Sequence, residues 1–260
     1  MILKRRVALN GVQLDSLDNR ILISGFDEAA GRDTIGAVNL GAGDGQRITG
    51  RRRETLDVTI KFNLNIQNND MAARDALLDK INAWAAPGGI LTAGHKTGKR
   101  LNVVLAQAPG GGDQFFWSNE FTLVFRAYAI PFWENIQATS QALTQSSTGE
   151  GTLTMPGSTD TVADVLVQNK SGATIDDLVL TVNDTQMTFT GIGLANNGYF
   201  TLDHHLVKGV YALRARIGDA SKLNCMSGDD ELILHPGANE ISYSAGGAVI
   251  ATFSARGRYQ

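Results

Sequence analysis

From 55 to 64 every second residue is apolar. Leu56, Val58, Ile60, Phe62 and Leu64 alternate with Thr55, Asp57, Thr59, Lys61 and Asn63. A period of two predicts a strand with one dry and one wet face. Phe121, Leu123 and Phe125 alternate in the same way with Thr122 and Arg126, and residues 100–107 and 20–25 read as further strands. The period changes once. Leu77, Leu78, Ile81, Trp84 and Ala85 recur at helical spacing, Asn69 or Asp70 stands where a cap belongs, and Pro87, Gly88 and Gly89 stop the run. These signals predict one amphipathic helix, with Leu77, Ile81 and Trp84 buried against the first sheet.

After Pro131, Phe132 and Trp133 the pattern thins. Residues 137–151 are rich in Ser, Thr, Gln and Gly and poor in large apolar side chains. That composition reads as a linker or the loose start of a second domain. Beyond it, short apolar runs return at 162–168, 178–182, 187–190, 199–202, 211–217, 231–234, 239–243 and 248–255, with turn residues between them. Many short strands without a helical period predict a β-sandwich. The chain therefore reads as mainly β, in two domains. Residues 1–135 form a sandwich or barrel-like sheet with one packed helix, and 136–260 form a second sandwich.

Composition narrows the function classes. The 260 residues and 43% hydrophobic content suffice for two cores without staples. With 23 basic against 26 acidic residues, the net charge of −3 argues against a dedicated nucleic-acid binder. Cys225 is alone, so no internal disulfide is possible. No run approaches the ~18 apolar residues of a membrane span, and no signal-peptide stretch follows Lys4, Arg5 and Arg6, which predicts a protein made in the cytoplasm.

Catalysis needs converging groups, and the sequence offers few. His204 and His205 are neighbours, so a strand sends them to opposite faces. With His95 and His235 they read as surface or loop histidines. Cys225 reads as a small buried side chain, and Asp229, Asp230 and Glu231 as a solvated turn. Gly41, Gly43 and Gly45 lack a P-loop lysine and read as a flexible loop. Gly110, Gly111 and Gly112 read as a hairpin tip. Arg51, Arg52 and Arg53 lead into the best strand. Their like charges need solvent or a partner, which makes them a candidate subunit interface. No catalytic residue, cofactor or metal ligand is expected.

The order of these features resembles the distal tail proteins of long-tailed bacteriophages. In the first half it is carried by the basic strand, the single helix, Gly89-Ile90-Leu91, Phe121 to Phe125, and Ala129-Ile130-Pro131-Phe132-Trp133. An acidic residue is frequent in that family where Ile130 stands. In the second half it is carried by Val167-Gln168-Asn169 with Gly172, by Gly198 to Asp203, and by Leu232 to Ile241 around Pro236, Gly237 and Asn239. The resemblance implies a structural virion protein, not an enzyme. Six copies would form a hub ring at the tail tip, between tail-tube protein and tail-tip hub protein. DNA would pass through the centre without specific binding. It also implies a galectin-like second domain that docks a receptor-binding protein or a host glycan. A sandwich can hold a glycan on exposed aromatics, which makes Tyr199, Phe200, Tyr211 and Tyr243 the candidates; Tyr199 and Phe200 are neighbours, so at least one turns inward, and Tyr199, Tyr211 and Tyr243 are the candidate sugar contacts. A carbohydrate-binding module and a tail-tube subunit are the competing readings.

Overall fold

The computed structural model describes residues 6–29, 33–39, 46–66, 70–109, 120–207 and 210–259. The chain divides into two compact units, Met1–Trp133 and Glu134–Gln260. The glycine clusters at 41–45 and 110–112 lie outside the described residues.

The first unit contains β1 (Val7–Leu9), β2 (Val12–Gln13), β3 (Ile21–Glu28), β4 (Asp33–Asn39), β5 (Gln46–Arg53), β6 (Leu56–Leu64), the helix α1 (Met71–Ala85), β7 (Gly89–Ala93), β8 (Lys99–Gln107) and β9 (Glu120–Ala127). Seven strands join antiparallel in the order β2-β1-β7-β8-β9-β6-β3, while β4 and β5 pair as a separate ribbon. The alternation along β6 is the organising feature. Its five apolar side chains are all buried, and its register sets Phe62 opposite Phe121, Ile60 opposite Leu123 and Val58 opposite Phe125. Cross-strand apolar pairs of this kind are the unit of sheet stabilisation.

Helix α1 begins where Asp70 accepts the Ala73 amide at 3.0 Å. Leu77, Leu78, Ile81 and Ala85 are buried, as the stripe requires. Trp84 differs from expectation. It is only half-buried, meeting Phe125 edge-on at 6.0 Å and donating its indole N–H to the Val12 carbonyl at 3.0 Å. Beyond the helix, Gly89 takes φ +127°, and a Cβ there would strike the Asn10 amide at 2.1 Å. Asn10 closes the corner by donating to the Gly88 carbonyl and accepting the Ile90 amide, both at 2.9 Å.

Across the division runs β10 (Trp133–Asn135). The second unit holds β11 (Thr139–Ala142), β12 (Ser146–Met155), β13 (Thr161–Val162), β14 (Asp164–Asn169), β15 (Leu178–Val182), β16 (Thr185–Phe189), β17 (Tyr199–Val207), β18 (Val210–Ile217), β19 (Ala220–Ser221), β20 (Met226–Gly228), β21 (Ile233–Leu234), β22 (Gly237–Ala255) and β23 (Arg258–Tyr259). The runs at 239–243 and 248–255 are thus one continuous strand. The early part of β22 pairs with β12 and β15, and its later part with β14 and β11. Gly246 and Gly247 sit at the changeover; a Cβ on Gly247 would meet Ser171 at 2.7 Å. A strand that passes from one layer to the other marks the corner of a sandwich. One cluster fills the space between the layers, with Phe189, Phe200 and Phe253 at its heart.

Residues 137–151 are not a linker. They supply β11 and most of β12, both paired to β22. At Gly149 the missing side chain has a physical cause: Tyr243 occupies its place. A Cβ on Gly149 would lie 2.5 Å from the Tyr243 ring. The ring reaches through that gap to the carbonyls of Thr144 (2.8 Å), Ser146 (3.1 Å) and Val249 (3.1 Å). Gly149→Val is therefore expected to destabilise the fold by about 1–3 kcal/mol, the usual cost of overpacking. Urea denaturation checks this, and an unchanged midpoint would show that the tyrosine moves aside freely.

Candidate interaction surfaces

The three tyrosines expected to face sugar do not come together. Tyr243 is 3% exposed and its hydroxyl is committed to main-chain carbonyls, so it presents nothing to a ligand; burial raises its pKa. Tyr199 precedes the buried Phe200 and so points out of the sandwich, where it is 51% exposed and accepts from Gln168 Nε2 at 2.8 Å. Tyr211 shares the inner face of β18 with Leu213, Ala215 and Ile217. Its ring stacks on His204 at 5.2 Å and lies 5.7 Å beneath the Arg258 guanidinium. Burial pushes its hydroxyl well above the ordinary tyrosine range.

His204 is likewise not a surface histidine. Its side chain is 2% exposed, its Nδ1 lies 3.3 Å from Asp164 Oδ1, and Asp164 Oδ1 also accepts the His204 main-chain N–H at 2.9 Å. Arg258 Nε lies 3.6 Å from the buried Glu134 carboxylate. Asp164, His204, Tyr211, Arg258 and Glu134 thus form a stacked polar cluster within the second unit. Cys225 is half-buried against the edge of the core. Among the described residues no three His, Cys, Asp or Glu side chains converge as metal ligands. Among the described residues no helix is long and apolar enough to cross a membrane.

The basic run lies at the end of the β4–β5 ribbon, where Arg51, Arg52 and Arg53 oppose Ile35, Thr34 and Asp33. The side chains of Arg51 and Arg52 lie outside the described residues. Arg53 is half-buried, its guanidinium 5.1 Å from the centre of the Phe132 ring.

Sequence reasoning missed the inward hydrogen bonds of Trp133, Asn169 and Asn239. Trp133 is buried and donates its indole N–H to Glu28 Oε2 at 3.1 Å. Lys96 reaches the same carboxylate at 3.1 Å, and His95 lies 3.6 Å from its other oxygen. In the second unit Asn169 and Asn239 are buried amides with every bond turned inward. Asn169 donates to the carbonyls of Ala173 (2.7 Å) and Leu194 (2.8 Å) and accepts the Ser171 N–H at 2.9 Å. Asn239 donates to His235 O (2.8 Å) and Gly237 O (2.9 Å), and accepts from His235 N (2.7 Å) and Asn183 Nδ2 (2.8 Å). Both asparagines stood in the sequence beside turn glycines, which was the available signal.

The described residues form two β-rich units with one α-helix in the first, and this arrangement has a counterpart among solved structures. The crystal structure of the SPP1 Dit protein has this fold: that protein is described as a paradigm of the hub adsorption apparatus in phages that infect Gram-positive hosts. The likeness has a TM-score of 0.68 at 12% identity and covers 97% of this chain and 98% of that one. A chain of the phage p2 baseplate in its activated conformation with Sr is more loosely similar, with a TM-score of 0.44 at 8% identity over 96% of this chain and 98% of the other, and nothing further rests on it. No protein-family model matches the chain, and no curated protein matches its sequence.

Proposed function

We propose that the chain is a structural subunit of a phage tail tip, a distal tail protein whose copies close into a hub ring between tail tube and tail-tip proteins. The supporting observation is that the likeness to the SPP1 hub protein runs through both units and 97% of the chain. A tube subunit would not need the second unit. A site built from Tyr199, Tyr211 and Tyr243 is not available to a sugar-binding module, because the three side chains do not share a face.

The first unit supplies the ring contacts in this reading. Its β4–β5 ribbon pairs with no other described strand, and two strands alone are marginal in water. A neighbouring subunit that covers the ribbon would relieve this, and Arg51 and Arg53 would meet its carboxylates. Closure needs heterologous contacts with a rotation that returns on itself, six-fold by the resemblance. DNA passes through the lumen without specific binding, and the second unit, galectin-like in this reading, faces outward toward a receptor-binding protein. Native mass spectrometry of the full chain, alone and with the adjoining tail proteins, is expected to show six copies. Reversing the charge at Arg51 and Arg53 should weaken the ring, most at low salt, where the new repulsion is least screened. A monomer or dimer under every condition would sink the proposal.

A further inference from the structure

The second unit is left open along one edge. Strand β18 pairs with β17 on one side; on the other, among the described residues, Arg216 and Ile217 pair with β19 and the Ala215 carbonyl accepts the Lys222 N–H at 2.7 Å, while no strand pairs with the stretch before Ala215. Strand β20 ends the other layer, paired among the described residues to β16 alone. Between these two edges the flank of the core is uncovered. Leu213 of β18 and Met226 of β20 pack against the core yet remain partly exposed, and Leu223 between them is 40% exposed. With Ile233 they form the apolar floor of a groove of about 720 Å³.

The rim of this groove carries one sign of charge. Asp229, Asp230 and Glu231 follow one another along it. Asp229 is held in place, its Oδ2 accepting the Gln186 N–H at 2.7 Å. Asp230 and Glu231 are exposed, and neither forms an ion pair among the described residues. Three adjacent carboxylates repel one another and gain from a cationic neighbour. The surface is therefore complementary to a segment that is apolar over one short stretch and basic over the next.

The chain contains such a segment. Met1, Ile2 and Leu3 are apolar, and Lys4, Arg5 and Arg6 are basic, in direct succession. Arg6 is exposed where the first unit begins, and residues 1–5 lie beyond the described part of the chain. We propose that the groove of the second unit receives the Met1–Arg6 segment of a second copy of this chain. Ile2 and Leu3 cover Leu213, Leu223 and Met226, the segment lies along the unpaired edge of β18 as an added strand, and Lys4, Arg5 and Arg6 neutralise the rim. This contact stands apart from ring closure, which needs no part of it, so either can fail alone.

The test uses a peptide of residues 1–8 with a fluorophore on its last residue, titrated with the full chain and followed by anisotropy. Saturable binding that loosens as salt rises is expected. Asp230→Lys with Glu231→Lys should weaken it about tenfold or more, since rim charges govern association. Leu223→Ser, at an exposed site that leaves the fold intact, should weaken it several-fold at any salt. A peptide with glutamate at positions 4, 5 and 6 should not bind. Absence of saturable binding, or binding untouched by the rim reversal, overturns the proposal. Loss with the rim reversal but not with Leu223→Ser also overturns it, leaving only diffuse attraction of charge. If a chain lacking residues 1–5 binds the peptide and the full chain, monomeric at the same concentration by analytical ultracentrifugation, does not, each copy fills its own groove and the second-copy assignment is wrong.

Discussion

Replacing Asn239 with leucine is expected to destabilise the second unit by about 3 kcal/mol or more, a fall in melting temperature on the order of 10 °C. Leucine has nearly the same volume, so packing is not the cause. The side chain is 1% exposed and binds the turn that joins β21 to β22. Its loss removes the partner of the His235 N–H, of one Asn183 amide hydrogen and of the carbonyls of His235 and Gly237, all part-buried, and of the Leu153 carbonyl, which is buried. Each buried polar group left unpaired costs about 1–3 kcal/mol. Asn183 suffers as well, because its own Oδ1 orients the Glu240 amide at 3.0 Å. Differential scanning calorimetry of the full chain measures the effect. A shift of only a degree or two would mean that the turn repacks around the leucine.

The second large effect is expected at Trp133. Trp133→Ala removes one of the largest fully buried side chains and should cost about 3–5 kcal/mol. Trp133→Phe separates packing from polarity, because it keeps much of the ring contact with Phe26 but removes the donor to Glu28. Glu28 retains Lys96 and His95, so no buried charge is abandoned. The phenylalanine variant should therefore lose no more than about half as much, and chemical denaturation of the two variants beside the parent gives the ratio. Equal losses would locate the stabilisation in the hydrogen bond instead of the ring.

Where the sequence was legible, two signals agreed. Strands β6 and β9 announce themselves because each has one buried and one wet face. Helix α1 does so because its stripe is bounded by a cap and a proline-glycine stop. Legibility failed where burial depends on a distant residue. Gly149 reads as loop chemistry until Tyr243, almost a hundred positions later, is seen to fill its space. Gly246 and Gly247 read as a break, although the strand continues through them around a corner. His204 looked like a surface histidine because Tyr211, which stacks on it, belongs to another strand. The groove was invisible for a similar reason. Which strands become edges is decided by pairing order, and a local pattern carries no record of that. The asparagines at 169 and 239 marked turns in the sequence, but only the fold shows that their amides face inward.

Strand β22 has a consequence for how the second unit comes into being. Strands β11, β12, β14 and β15 all pair with it, yet all four precede it by a long stretch of chain. Whatever the ribosome has released before Gly237 consists of outer pieces without their centre. Local hairpins such as β15 with β16 and β17 with β18 can form early, but the two layers cannot close on each other. Contacts between distant positions form slowly, and unpaired strand edges invite association in the meantime. The span between synthesis of β12 and synthesis of β22 is the time when nascent chains are most exposed to pairing with one another.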